Sequence, residues 1–440
     1  MNYFEITGGN SLRGEVRLHG AKNSALPILT AAVLVNGQCV IHNCPNLSDV
    51  RKTLEILKSL GCTVTQAGST VIIDSSNIDK HYIDECLMRK MRSSILFLGG
   101  LLGRLGVAEL YLPGGCEIGT RPIDMHLNAL KELGVQLTEN GSYLSCKLDS
   151  VQCKRIILPF ASVGATENII LFSVLQDGTT TIVNAAREPE IQDLADFLNS
   201  CGANIIVSNG EIEINGVKQL HSGEHTIIPD RILASTYMSA CAATAGDIMI
   251  DDVIPTHLAP IFPYFNEMGC RLYLDNHRLR IAAPKRLRRV RKVTTLPFPG
   301  FPTDSQSPLA AALATARGTS CIKETIFENR FRYVSELNRF GADIEINDNL
   351  ALINGVRQLK CADVFATDLR GGAAMIVGAL AAQGTSRIYN TNYIDRGYEA
   401  VEKGFSGLGA DIKRINNEGN QKEESIKECE KNSPREKQIC

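Results

Sequence analysis

The 440-residue chain has no tryptophan and, for all its fourteen cysteines, no CxxC pair and no Cys/His cluster at metal-ligand spacing. No metal site is therefore expected. The thiols lie scattered in apolar or Ala-rich stretches (Cys62, Cys201, Cys241, Cys270), where a free cysteine acts as a small hydrophobe. That usage fits a reducing compartment and excludes a disulfide scaffold. Long apolar runs are also missing. The longest, near 95–107 and 372–382, are rich in Gly and Ala and too short to cross a bilayer. The first residues, MNYFEITGGN, lack the basic and apolar regions of a signal peptide, so a soluble, cytoplasmic chain is expected. Neither sign of charge dominates. The 46 basic and 48 acidic residues leave a net charge of −2, which gives no reason to expect nucleic acid as a partner. One basic run, KRLRRVRK at 285–292, has no aromatic residues between its charges and reads as a solvated loop or strand edge.

What the chain has in abundance is repetition. Six segments end an amphipathic helical pattern with a glycine and then alternate as a strand: LKSLGCTV, LKELGVQL, LNSCGANI, FNEMGCRL, LNRFGADI and FSGLGADI. Their glycines (Gly61, Gly134, Gly202, Gly269, Gly341, Gly409) recur about every 70 residues and supply the left-handed cap after a last helical turn. Some 24 residues before each stands a second landmark, a small-residue helix ending at or just before a glycine and followed by a strand, as in SACAATAGDIMI. These helices are apolar around most of their circumference and should be buried, whereas the amphipathic ones should keep a wet face. Six units are too many for one core and suit two domains of three. The strand pattern at 2–18 precedes the first unit and must pair elsewhere. The tail from about Asn416 is charged and poor in apolar residues, as in disordered segments, and its Cys429 and Cys440 read as incidental.

The polar residues cluster where the small-residue helices start: Lys22-Asn23, Arg92, Ser162-Val163-Gly164, Asp230-Arg231, Asp304 and Asp368-Leu-Arg370. Singly, each polar residue reads as a helix cap. Lys22, Arg92 and Arg370 fit that reading badly, because cations are disfavoured at the positive end of a helix dipole. Three such cations suggest a shared anion. Loops after the following strands add Arg121, Arg187, Arg330 and Arg396 at similar places in their units, from which they can converge on a cleft between domains.

Taken together, GAKNSALP, LPGGCEIGTRPIDMH, SVGATEN, NAAREPEI, FPTDSQ, FENRF, ATDLR and IDRGYE resemble the UDP-N-acetylglucosamine 1-carboxyvinyltransferases, the enolpyruvyl transferases that open the cytoplasmic stage of peptidoglycan synthesis. The resemblance covers about 2–415 and implies two inside-out α/β domains, each of three βαβαββ repeats, with the site in the interdomain cleft. It divides the chain into 22–229, a discontinuous second domain of 1–21 with 230–415, and the tail 416–440. The implied reaction moves an enolpyruvyl group from phosphoenolpyruvate to the 3′-hydroxyl of UDP-N-acetylglucosamine and releases phosphate.

By the same resemblance Cys116 is the acid, and the thiol that the epoxide fosfomycin attacks. Asp304 is the base, and Lys22, Arg92, Arg121, Arg370 and Arg396 clamp the anions. Asn23, Arg121, Pro122, Ser162, Val163, Gly164, Asp304, Ile326 and Phe327 line the nucleotide-sugar site. Asp230, Glu188, Glu328, Arg330 and Asp368 stand near the cleft, the acids either as participants or as interdomain ion pairs. His126 is either a packed histidine or a substrate contact. Phe160-Ala161 stands where some relatives carry a basic residue. No cofactor and no metal is implied, and the only partners are the two small substrates, with neither nucleic acid nor membrane and a monomer or weak oligomer. The shikimate-pathway enolpyruvyl transferase is the alternative enzyme, but it lacks a reactive cysteine loop. A non-catalytic paralogue that binds nucleotide-sugar would have lost Cys116 or the clamp, and both are present.

Overall fold

Six small-residue helices form the inside of the protein. A computed structural model describes residues 2–114, 118–119 and 122–416. In one half lie helices Lys22–Ala31, Leu96–Leu105 and Val163–Ser173; in the other lie Arg231–Ala243, Thr303–Leu313 and Leu369–Ala381. Nearly every residue of Arg231–Ala243 and Leu369–Ala381 is buried, because their Ala-, Gly- and Ser-rich sequences leave no polar face to turn outward. Glycine also sets how close the helices come. A Cβ at Gly99 would sit 2.4 Å from the Asn168 carbonyl oxygen and one at Gly103 2.6 Å from that of Leu171, so the helices of the second and third repeats touch backbone to backbone.

The strands form six outer sheets among the described residues. The third repeat shows the pattern. Arg155–Ile157 runs parallel to Thr179–Val183, and the hairpin Asn204–Ser208 with Glu211–Asn215 adds antiparallel to it. Along Glu211–Asn215 the isoleucines point in and the glutamates out, the period-2 alternation of a sheet wet on one face. In two repeats the leading strand comes from elsewhere in the chain. Gly223–Thr226 runs parallel to Gln38–His42 in the first repeat, and Arg13–Arg17 runs parallel to Asp247–Asp251 in the fourth. The N-terminal strand Tyr3–Gly8 lies between Ala382–Tyr389 and Asp411–Ile415, antiparallel to both, with Tyr3 opposite Tyr389 and Ile415.

The buried apolar side chains fall into two cores. One runs from Ala25 to Ile227; the other joins Phe4, Ile6, Leu12 and Leu18 to residues from Leu233 to Ile412. The fold is thus two inside-out α/β domains. The chain passes between them twice, and the two passages lie side by side. Ala21 N–H donates to Ile228 O at 2.7 Å and Asp230 N–H to His19 O at 3.0 Å.

The basic run at 285–292 lies along a sheet edge. Leu287 and Val290 are buried while the arginines and lysines among them face solvent, so it is a solvated face. Cys62, Cys201, Cys241 and Cys270 are buried free thiols. No helix among the described residues is long and apolar enough to cross a membrane, and no group of His, Cys, Asp and Glu among them is arranged to hold a metal ion.

Candidate active site

The starts of the inner helices open into one cavity of about 660 Å³ between the domains. Two acid-centred charge clusters organise its floor. In the first, Lys22 begins its helix and points inward, with Nζ 2.8 Å from Asp49 Oδ2. The Arg396 guanidinium grips the same carboxylate from the other domain, Nε at 3.2 Å and Nη2 at 3.3 Å. Burial alone would raise the Asp49 carboxyl, but Lys22 and Arg396 overcome this and hold it at about 2. The Lys22 ammonium is pushed down by burial and by the neighbouring arginines, with Asp49 opposing. Asp49 is absent from the residues expected above. In SDVRKTLEI it looks like an ordinary acid in a first helical turn, and only the tertiary structure shows it buried between two cations.

In the second cluster Asp304 accepts from Arg330 Nη2 at 2.9 Å and Arg370 Nη2 at 3.1 Å. It makes no capping bond to its own helix, whose N-cap is Pro302. Burial pushes its carboxyl up, but Arg370 and Arg330 outweigh this and hold it well below the usual carboxylate range. Arg370 is fully buried; its Nε and Nη1 have no hydrogen-bond partner, and its guanidinium lies 5.4 Å from the Tyr398 ring. A buried guanidinium with free donors is costly unless something anionic completes it. Asp368 caps the Arg370 helix through the Arg370 and Gly371 N–H groups, and Asp230 caps Arg231–Ala243.

Along another wall stand Glu167 and Glu188, with Glu190 buried close by. Glu190 pairs with the buried Arg231 at 3.0 Å. Glu188 accepts the Phe298 N–H at 3.1 Å across the cleft, while its Oε2 has no partner, and burial raises its carboxyl. Glu167, on the inner helix, is pushed far up by burial and then by Glu190 and Glu188. A carboxyl raised in this way is most stabilising when protonated, so stability falls as pH climbs from the unfolded value near 4.3 through the raised one. Glu167→Gln should therefore melt above the wild type at pH 8, by about 2–4 °C per kcal/mol recovered, with the gap closing towards pH 4. Melting curves across that range check it; a gap that is constant with pH would mean that folding leaves the Glu167 carboxyl unshifted.

Asn23, Arg92, Pro122, Ser162, Val163, Gly164, Ile326 and Phe327 all line the cavity, as do Glu328 and Arg330. Phe160 is exposed at the cavity wall beside Ser162. His126 is buried on helix Asp124–Glu132, its Nδ1 2.8 Å from Asn168 Nδ2, and it also borders the cavity. One expectation fails. Arg187 does not reach the cleft; it is exposed and bonds Asn209 Oδ1 at 3.2 Å, because Glu188, one residue on, takes the inward position. The acids also depart from simple interdomain ion pairing: Asp230 and Asp368 cap helices, and Glu188 takes a backbone N–H.

Cys116 and Arg121 lie outside the described residues. Between them only Ile118 and Gly119 are described. Ile118 O accepts the Asn329 N–H at 3.1 Å from the other domain. Gly119 adopts φ +151°, which favours glycine, and a Cβ there would come 2.3 Å from Glu328 Oε2.

Comparison with known proteins agrees with this geometry. The sequence profile of the EPSP synthase (3-phosphoshikimate 1-carboxyvinyltransferase) family matches residues 6–405. A UDP-N-acetylglucosamine 1-carboxyvinyltransferase 2 of Caldanaerobacter subterraneus subsp. tengcongensis is 48% identical over 94% of this chain and all of its own length. A UDP-N-acetylglucosamine 1-carboxyvinyltransferase of Desulforapulum autotrophicum is 44% identical over the same shares. Among solved structures, the enolpyruvyl transferase NikO of Streptomyces tendae superposes with a TM-score of 0.85 at 26% identity, covering 94% of this chain and 99% of its own. EPSP synthase of Acinetobacter baumannii shares the fold at a TM-score of 0.74 and 16% identity, covering 94% of this chain and 100% of its own. With a matching profile over most of its length and full-length relatives well above 40% identity, the chain belongs to the enolpyruvyl transferase family, on the branch of the UDP-N-acetylglucosamine 1-carboxyvinyltransferases.

Proposed function

We propose that the cleft transfers the enolpyruvyl group of phosphoenolpyruvate to the 3′-hydroxyl of UDP-N-acetylglucosamine and releases inorganic phosphate, the first committed step of peptidoglycan precursor synthesis, in the cytoplasm. Cell shape and division would then depend on it. The observation that carries the reading is Arg370, buried with two unpartnered edges beside Lys22 and Arg396 in one cavity. Phosphoenolpyruvate brings the phosphate and carboxylate that such a set lacks.

In the resting cleft Asp304 is ionised but a poor base, because Arg330 and Arg370 lower its proton affinity. Anions on Arg370 and Lys22 offset those charges, so Asp304 gains basicity as the substrate arrives. It then takes the proton of the sugar 3′-hydroxyl as that oxygen bonds C2 of the enolpyruvyl group. Cys116 delivers a proton to C3, giving a tetrahedral adduct with a methyl group. Loss of a C3 proton and of phosphate restores the double bond on the new ether. Asn23, Pro122, Ser162, Val163, Gly164, Ile326 and Phe327 hold the nucleotide sugar, with Phe160 offering an apolar face instead of a charge.

Phosphate release should be seen with phosphoenolpyruvate plus UDP-N-acetylglucosamine and be absent with shikimate 3-phosphate as acceptor. The reverse pattern would move the chain to the other acceptor, and silence with both would remove the activity.

A further inference from the structure

A second cavity, of about 350 Å³, adjoins the first and shares Lys90, Tyr393 and Arg396 with it. The Arg396 guanidinium, held on Asp49, stands in the partition. The far side is strongly basic, with Arg51, Lys52, Lys90 and Arg396 facing a single acid, Asp395. That acid is already engaged, since Arg414 binds both its oxygens at 2.6 and 3.0 Å. The other acids near the cations lie outside the lining or are weakly held. Lys52 reaches Asp49 at 3.5 Å, and Lys90 meets Glu55 at 3.2 Å in a pair half open to water. An exposed pair such as Lys90–Glu55 contributes little and exchanges readily. Ser48 Oγ, also in the lining, is buried without a hydrogen-bond partner. Ser48 and Arg51 lie in the first turn of helix Ser48–Ser59 and Lys52 follows it, so the helix's positive end adds to the field. The cavity is at the small end of ligand-sized pockets, room for a hydrated oxyanion but not for a nucleotide sugar.

We propose that this cavity is an anion vestibule behind the reaction site, which receives inorganic phosphate when it leaves the Lys22–Arg396 side of the cleft. The assignment rests on the reading that phosphate is the leaving group. It gives the anion a basic path of its own, lined on both sides by Arg396, while the larger acceptor occupies the main cavity.

The test uses the full chain and the double variant Arg51→Gln/Lys52→Gln, neither residue lining the reaction cavity, with the single variant Arg51→Gln, whose side chain bonds Asn46 and not Asp49, controlling for the Lys52–Asp49 contact. Inorganic phosphate is the probe, by calorimetry on the resting enzyme and as a product inhibitor at saturating UDP-N-acetylglucosamine. The expected result is phosphate binding and inhibition weakened about tenfold, the loss of two partly exposed charge-assisted contacts. The KM for phosphoenolpyruvate and kcat should stay within about twofold. Unchanged phosphate affinity in the variant, or no measurable phosphate binding to the wild type, would overturn the vestibule. So would a KM for phosphoenolpyruvate that rises in step with the phosphate constant, because phosphate would then be occupying the substrate site alone. Failure of the reaction reading shows separately, as wild-type enzyme that releases no phosphate in the acceptor assay while calorimetry still reports on the cavity.

Discussion

Replacing Asp304 with asparagine is expected to reduce turnover by roughly 100-fold or more, the size of a lost, positioned acid–base group. A helix cap would cost about 1 kcal/mol of stability and little activity, but Asp304 makes no cap bond. Its carboxylate instead joins Arg330 to Arg370. The substitution leaves those guanidiniums without their counter-charge, so the unliganded variant should also melt lower. Arg330 keeps Thr303 O and Asp368, which limits the damage. Added phosphate should recover part of the melting loss, since an anion can replace the charge, yet it should not recover turnover. Measuring kcat well below the variant's melting temperature separates the two effects. Near-normal kcat with a lowered melting temperature would reduce Asp304 to a counter-ion.

The second large effect falls on Cys116. Substitution by serine should lower turnover by about 100-fold or more, because a hydroxyl is far too weak an acid to protonate carbon. Aspartate should keep a proton donor and resist fosfomycin, as a carboxylate is the poorer nucleophile. With the substrate absent, clamp cations around Cys116 would favour its thiolate, so it should alkylate faster than the other thiols, and bound substrate anions would return the proton for transfer to C3. Brief alkylation followed by peptide mapping reads this directly. Among the described residues Cys86 and Cys361 are exposed and set the background, and peptides carrying Cys429 and Cys440 of the tail are scored separately. Burial holds Cys44, Cys146 and Cys270 at about 12, leaving almost no thiolate to react. Label on Cys116 at or below the level of Cys86 and Cys361, or full activity in Cys116→Ser, would take the acid role from this thiol.

The six repeats were readable because their signals are local. A glycine after an amphipathic helix and a run of small residues each reflect one helix's own geometry, and the structure places the inner helices where those runs stand. That the helix starts would carry cations facing one cleft was readable for the same reason, as Lys22 and Arg370 oppose the dipole that their neighbours obey and both line the cavity. Asp49 was not readable. Its position in a first helical turn is ordinary, and its role exists only because Arg396, 347 residues away, folds onto it. Arg187 misled for the converse reason. Equal places in a repeat fix the backbone, but which of two adjacent side chains turns inward depends on local packing, and there Glu188 does. The arginines of the other units show that repeats can diverge in this way: Arg330 ended as a brace for Asp304, not a free clamp.

The N-terminal strand has a consequence for synthesis on the ribosome. The first domain's leading strand, Gly223–Thr226, is in hand once about half the chain has emerged, so that domain can close its core early. Tyr3–Gly8 must wait for Ala382–Tyr389 and Asp411–Ile415, the last strands made. At bacterial-type elongation of about 5–20 residues per second, the interval between these events is roughly ten to forty seconds. For that time Phe4 and Ile6, fully buried in the finished protein, have no native partner beside an already folded neighbour. A nascent chain of this topology therefore carries an idle, sticky strand at its leading end, which makes it a natural client for chaperones that bind short apolar segments.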